Sequence, residues 1–308
     1  MKVFGITDGS AGMVSQVRAL AEALTLEPEM IAIGLPKYLR FLPNKAFELL
    51  PFLFRFISCK SLKPEAQSLI ISCGRKAALV SMALKQQNPQ IKTIHIQDPQ
   101  MASKYFDLVI AMEHDKITGE NVIKTRFALH NITPEKLAAA TEKFASSFAS
   151  YPKPHIAVLL GGSTNKYTLT KARMREVIRL LKNKLASGGS LLITPSRRTG
   201  AGNIFLLKQE LAGDRSVYIY DGISENPYHG LLAIADEIIV SNDSVNMMSE
   251  AQATGKKFSI LPLPDHKNTK PANFAKMLES NPEFSGDEMQ ILAEKVKYLV
   301  NLPCANPH

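Results

Sequence analysis

The feature that most constrains this chain is a recurring pattern: a short, near-continuous apolar run, a turn containing Gly or Asp, then a stretch with helical spacing. Lys2 to Thr7 reads as such a strand, followed by Asp8-Gly9-Ser10-Ala11-Gly12 and a helix from about Met13 to Leu24. Within that helix Val17, Leu20, Ala21 and Leu24 recur at the spacing of one buried face. Ser68 to Cys73 repeats the theme, with Gly74-Arg75 as its turn and a helix to about Lys85. Strands are expected at Thr93 to Ile96 and Asp107 to Ala111. A long helix should begin at Thr133-Pro134-Glu135, where Thr caps and Pro takes the first helical position. Tyr151-Pro152-Lys153-Pro154 then interrupts, two prolines bracketing a lysine. The pattern restarts with His155 to Leu160, the turn Gly161-Gly162-Ser163 and a helix over about 170–185, with further strands at 190–194, 217–220, 237–240 and 258–261. Apolar strands alternating with helices specify parallel sheets covered on both faces. A chain of 308 residues suits two domains of roughly 150 each. The predicted fold class is α/β, with two doubly wound Rossmann-like domains facing a cleft. Residues 1–151 form the first and 152–308 the second, whose last helix is free to pack back on the first.

Composition removes several alternatives. With 45% hydrophobic and 21% charged residues, the chain is neither disordered, collagen-like nor a coiled coil. No uncharged apolar run approaches the roughly 20 residues that cross a bilayer. The N-terminus lacks the basic flank and apolar core of a signal peptide. Cys59, Cys73 and Cys304 are odd in number and far apart, forming neither a disulfide framework nor a zinc pattern. A cytoplasmic, reduced protein is expected. Its net charge of +9 calls for an anionic partner class. Residues 35–63 carry Lys37, Arg40, Lys45, Arg55, Lys60 and Lys63 against Glu48, six cations minus one acid for an excess of five. Phe41, Phe47, Phe52, Phe54 and Phe56 are interleaved with them. That mixture suits a membrane headgroup layer better than a duplex groove, so an anionic membrane surface, not nucleic acid, is the expected macromolecular contact. It would make the protein peripheral to the inner membrane. The plainer reading is an amphipathic helical pair packed within the first domain. Nothing in the sequence specifies an oligomer.

The loops at predicted strand ends carry the candidate chemistry, because ligands of such sheets bind at the carboxyl ends of strands. Gly161-Gly162-Ser163-Thr164-Asn165 is a strand-to-helix turn in which glycines would let backbone amides approach a phosphate. Ser196-Arg197-Arg198-Thr199 offers paired guanidinium forks suited to a diphosphate, or simply a solvated basic turn. Asp243-Ser244 opens a helix reaching Glu250. Glu250 reaches ligand hydroxyls only if that helix end lines the site, and plain capping with a solvated Glu is the alternative. In the first half, Asp8, Gly9, Gly12 and Gln16 form a Gly-containing turn without the full dinucleotide fingerprint. Asp8 suits a general base and a helix cap equally. Gly74 and Arg75 repeat the theme one unit later, and Gln97 and Asp98 form a polar cluster after a further strand. His114, between Glu113 and Asp115, is a second candidate base. Without another His at ligand spacing it makes a poor metal ligand, and no metal is expected. The chain holds no G-x-S-x-G elbow and no Walker loop, which argues against serine hydrolases and P-loop NTPases. No cofactor is expected.

The phrases "TDGSAGMVSQ", "SCGRKAA", "IQDP", "FDLVIAMEHD", "ALHNITPEKLAAA", "LLGGSTNKY", "SRRT", "NPYHGLLAIADEIIVSNDSVNMMSEA" and "ATGK", in this order, resemble bacterial members of the family named for the plant mitochondrial-fission factor. The resemblance runs from about residue 5 to 263. It implies two contrasting roles: recruitment of a dynamin-related protein, as for the plant members, or the nucleoside-diphosphate-sugar epimerase label some members carry. The wider likeness is to two-domain GT-B glycosyltransferases, such as the one adding N-acetylglucosamine to the lipid-linked peptidoglycan precursor. In those enzymes the C-terminal domain holds the nucleotide sugar, and a glutamate on a helix after a Ser-containing loop contacts the ribose; Glu250 after Ser244 looks similar. Their Gly-Gly-x-Gly-Gly-His loop is missing here, and Asp8 stands near where its histidine would be. The expected function is transfer of a sugar from a nucleotide donor, a substrate and not a cofactor, to an acceptor that is lipid-linked if residues 35–63 touch a membrane. The alternatives are an epimerase and a non-catalytic membrane-associated scaffold.

Overall fold

The computed structural model describes residues 1–34, 43–49, 64–264, 269–280 and 288–299. The chain divides into two compact units, Met1–Asn131 with the segment from Ser285, and Ile132–Phe284.

The first unit is built on a six-stranded sheet, every strand parallel to its neighbours. Its strands are β1 (Val3–Thr7), β2 (Glu29–Ala32), β3 (Leu69–Cys73), β4 (Lys92–Ile96), β5 (Leu108–Met112) and β6 (Val122–Thr125), in the order β2-β1-β3-β4-β5-β6. Helices α1 (Ala11–Ala23) and α3 (Arg75–Gln87) cover opposite faces. Val17 and Leu20 of α1 join Leu69, Ile71 and Ile94, whereas Ala78, Leu79 and Met82 of α3 join Phe4, Ile6 and Ile70. Successive β3 side chains thus feed different cores, which is why that strand is apolar throughout. The chain leaves β1 for β2 on one side and returns to β3 on the other. The topological switch point therefore lies at the carboxyl ends of β1 and β3.

The second unit holds α4 (Pro134–Phe148), β7 (His155–Leu160), α5 (Lys171–Leu185), β8 (Ser190–Pro195), a 3-10 turn (Arg197–Thr199), α6 (Ala201–Leu211), β9 (Val217–Ile219), α7 (Tyr228–Ile234), β10 (Glu237–Ser241), α8 (Val245–Ala253), β11 (Lys257–Leu261) and α9 (Lys270–Ser280). Its parallel sheet runs β11-β10-β7-β8-β9, which puts the switch point between β7 and β10. Apolar residues of α5 and α6 share one core with β7 and β8. Thr133 caps α4 by accepting from the Lys136 amide, with Pro134 first in the helix.

The division falls at Asn131/Ile132, ahead of the 151/152 boundary expected from the prolines. The reason is packing. Helix α4 lies on α7, where the Phe144 ring occupies the space a Cβ at Gly230 would need, and Phe148 meets Tyr218 edge-on at 5.0 Å. The proline segment is itself held in this unit, Pro154 O accepting from the Ser190 amide at 3.0 Å. The last helix, α10 (Glu288–Leu299), belongs to the first unit, with Leu292 and Val296 in the α1 core.

Most of the basic aromatic stretch 35–63 lies outside the described residues. Within it α2 (Asn44–Leu49) is described, and Phe47 is fully buried in the first unit's core. Among the described residues, no helix is long and apolar enough to cross a membrane.

Candidate functional site

In the second unit the sequence candidates converge on the β7/β10 switch point. Strand β10 ends at Ser241, and two residues later the fully buried Asp243 carboxylate fills the crevice. One oxygen accepts from Ser241 Oγ at 2.6 Å; the other accepts from the Gly162 amide at 3.0 Å and takes the Arg198 guanidinium at 2.7 Å. Ser241 Oγ in turn accepts from the Gly161 amide at 2.7 Å. The two glycines exist for this approach. A Cβ on Gly161 would sit 2.0 Å from an Asp243 oxygen, and one on Gly162 would sit 2.2 Å from the Arg198 carbonyl oxygen.

This corrects the expected role of the Gly-Gly turn. The amides of Gly161, Gly162, Ser163 and Thr164 all donate within the protein, to Ser241, Asp243, the Arg198 carbonyl and the Tyr167 carbonyl. They are not presented to a phosphate. Thr199 is a buried stitch, donating to Gly161 O at 2.5 Å, and Ser163 Oγ accepts from the Leu169 amide. Asn165 and Arg197 are exposed. Ser196 Oγ accepts from the Arg198 amide, fixing the turn that carries both arginines. What the crevice presents is Arg198, its side chain 38% exposed and braced from below by Asp243. Beside it opens the N-terminus of α8, where Ser244 caps by accepting from the Met247 amide.

Glu250 is not the solvated residue of the plainer reading. It is buried and accepts a hydrogen bond from the Tyr228 hydroxyl, at the start of α7. Burial, and then the Glu250 carboxylate, hold the Tyr228 phenol well above its usual range, so it stays a donor. Sequence reasoning missed Tyr228, although a hydroxyl-bearing aromatic opening a helix behind a loop was its available signal. It also missed Ser241, a small polar residue ending an apolar strand.

In the first unit Asp8 follows β1 at the switch point. It is partly exposed, accepts from the Ser10 amide at 3.1 Å and lies 3.8 Å from Lys76 Nζ. Ser10, not Asp8, stands at the N-cap position of α1. Gly74, at φ +89, turns the chain from β3 into α3, with Arg75 first in that helix. Gly9 is exposed, Gly12 lies in the first turn of α1, and Gln16 is buried on that helix. Asn44 Nδ2 donates to Arg75 O at 2.9 Å and Pro99 O at 2.7 Å, stitching together the loops after β3 and β4. Gln97 and Asp98 lie on the second of these, Asp98 accepting from the Gln100 amide. His114 follows β5, three strands from β1, so about 14 Å separates it from Asp8 at ~4.8 Å per strand. The two candidate bases do not share one proton. Among the described residues, no cluster of His, Cys, Asp or Glu has the makings of a metal site.

A family model described as "Mitochondrial fission ELM1" matches residues 11–292. The mitochondrial fission protein ELM1 of Arabidopsis thaliana is 30% identical over 234 residues; the match spans 68% of this chain but only 55% of the plant protein. Among solved structures, S. aureus MnaA in a co-structure with UDP aligns at a TM-score of 0.57 and 13% identity, covering 100% of this chain and 99% of that one. The UDP-GlcNAc 2-epimerase of Neisseria meningitidis bound to UDP-GlcNAc aligns at 0.55 and 14% identity, covering 97% and 100%. The spinosyn forosaminyltransferase SpnP aligns at 0.52 and 14% identity, covering 98% and 91%. At these identities the likeness is one of fold, and the α/β fold is GT-B-like. With its model matched across nearly the whole length, the chain belongs to the mitochondrial fission ELM1 family.

Proposed function

We propose that the second unit binds a nucleoside-diphosphate sugar at the β7/β10 switch point and that the protein transfers the sugar to an acceptor held by the first unit. The observation that carries this reading is Arg198. A guanidinium braced by a buried carboxylate, at the mouth of a switch point and beside a helix N-terminus, is a preorganised anion site. Such a group stabilises a diphosphate as it departs and gains charge, without reorganising at that moment. Arg197 and Ser196 lie on the same turn and would add donors. Asp243 acts through Arg198, since its own oxygens are engaged. Glu250, oriented by Tyr228, is the candidate partner for ribose hydroxyls.

On the acceptor side Asp8 is the better base. It stands at the first sheet's switch point and is partly exposed, whereas His114 is three strands away. Gly9, Gly12, Gln16, Gly74, Arg75, Gln97 and Asp98 would shape that side. The UDP-bound neighbours support a nucleotide-sugar site on this fold. An epimerase would use the same donor residues, and the Neisseria structure favours it as the second reading.

The test is a thermal-shift screen against uridine, guanosine, cytidine and thymidine diphosphates and their sugars. A ligand at about 100 times its dissociation constant adds roughly 2.7 kcal/mol, a clear shift in the melt. One base standing out supports the reading, and an acceptor screen with that donor then separates transfer from epimerisation. No shift with any nucleotide sinks it and leaves the recruitment role suggested by the family.

A further inference from the structure

We propose that the α5 face carrying Lys171, Arg175, Arg179 and Lys182 is a contact surface for an anionic lipid bilayer. Helix α5 holds Lys171, Arg173, Arg175, Arg179, Lys182 and Lys184 against Glu176, six cations minus one acid for a net of five on one 15-residue helix. Two of the six lie on one flank of the helix. Lys184 pairs with Glu237 at 2.9 Å, and Arg173 lies over the Tyr167 ring and donates to Thr168 O. The other four are spaced four, four and three residues apart, so they form one row. Two contacts fix where that row points. The Lys171 side chain runs past Gly202, and Lys182 pairs with Glu210 at 2.7 Å, so the row borders α6. On α6, one turn beyond Gly202, Phe205 stands 69% exposed.

Folding accounts for part of this row: Glu210 pairs with Lys182 and is also acted on by Arg175. Like charges four apart disfavour a helix, and Lys171 and Arg173 lie in the first turn, where the helix dipole opposes cations and no acid is present. A favourable use outside the fold is the physical reason for such a distribution. Cations set beside an outward-standing Phe match a negatively charged interface, with the charges meeting headgroups and the aromatic ring entering the acyl boundary. The contact is independent of the nucleotide site, so either proposal can fail alone.

The experiment is co-sedimentation of the full chain with phosphatidylcholine vesicles, with and without phosphatidylglycerol, at low and high salt. The wild-type protein should bind the phosphatidylglycerol vesicles selectively and release them in salt. Arg175→Glu with Arg179→Glu should weaken that binding by about tenfold or more, and Phe205→Ser by less. A control matched in net charge, Lys116→Glu with Lys153→Glu, should bind as the wild type does. All four positions are exposed, so each variant should melt as the wild type and keep any nucleotide-induced shift. Three results would overturn the proposal: no selectivity for phosphatidylglycerol, equal losses in the α5 variant and its control, or loss of vesicle binding only on changing residues 35–63. Tighter binding to a DNA duplex than to vesicles, abolished by the α5 reversal, would assign the face to nucleic acid instead.

Discussion

The two switch points each place an aspartate at the carboxyl end of a strand, and they use it in opposite ways. Asp243, in the second unit, is fully buried and accepts from Ser241, Gly162 and Arg198. Asp8, in the first unit, is partly exposed and holds one turn amide and one long ion pair to Lys76. A carboxylate with three partners in a dry crevice builds a scaffold. One with a loose partner and solvent access remains available for chemistry. Two similar sheets therefore present different groups at their switch points, a braced cation in one and a reachable carboxylate in the other.

The largest effects should come from dismantling the braced side. Asp243→Ala would leave a buried amide, a buried hydroxyl and Arg198 without their acceptor, and should cost about 3–5 kcal/mol in urea unfolding. Asp8→Ala should stay within about 0.5 kcal/mol by the same assay; equal costs would erase the distinction. Gly162→Ala drives a methyl group into the Arg198 carbonyl and should cost about 2–4 kcal/mol, whereas Gly213→Ala meets no atom within 4 Å and should be near neutral or better.

A pH titration sharpens the comparison from another side. Burial holds His95 down to about 3 and His130 down to about 4, both in the first unit. Exposed imidazoles titrate near ~6.5, so below that pH the unfolded chain binds protons that the native unit refuses. The first unit should therefore have its full stability above about pH 6.5. It should lose on the order of 1.4 kcal/mol per pH unit per histidine as the pH falls toward 4. His95→Gln should flatten that acid limb, and an unchanged limb would show that His95 is not its source. The smallest expected effect is Lys76→Ala, within about 0.5 kcal/mol, because its ion pair with Asp8 is long and solvated.

The central strands were legible because they are buried on both faces and hence continuously apolar: His155–Leu160 appears as read, and Leu69–Cys73 differs by one residue. The strands not read, Glu29–Ala32 and Val122–Thr125, are the two edges of the first sheet. They are half-covered, and each mixes charged or polar residues with apolar ones. The loops of the candidate site were legible as loops, since small polar residues after apolar runs mark strand ends. Their internal wiring was not. That Gly161 and Gly162 admit a carboxylate, and that Tyr228 reaches Glu250, depend on contacts spanning about 80 and 22 residues. No local pattern encodes such pairings. The unit boundary was misplaced for a related reason: prolines signal a break in secondary structure, but the α4–α7 contact decides which unit a helix joins.

The most direct measurement titrates the best-binding nucleoside diphosphate into three proteins: wild type, Arg198→Gln and Asp8→Ala. The braced-cation account expects affinity to fall by about tenfold or more in Arg198→Gln, the loss of one charge-assisted contact. Affinity in Asp8→Ala should match the wild type, with turnover alone lost. Undiminished affinity in a folded Arg198→Gln protein would contradict the account, as would a loss confined to Asp8→Ala.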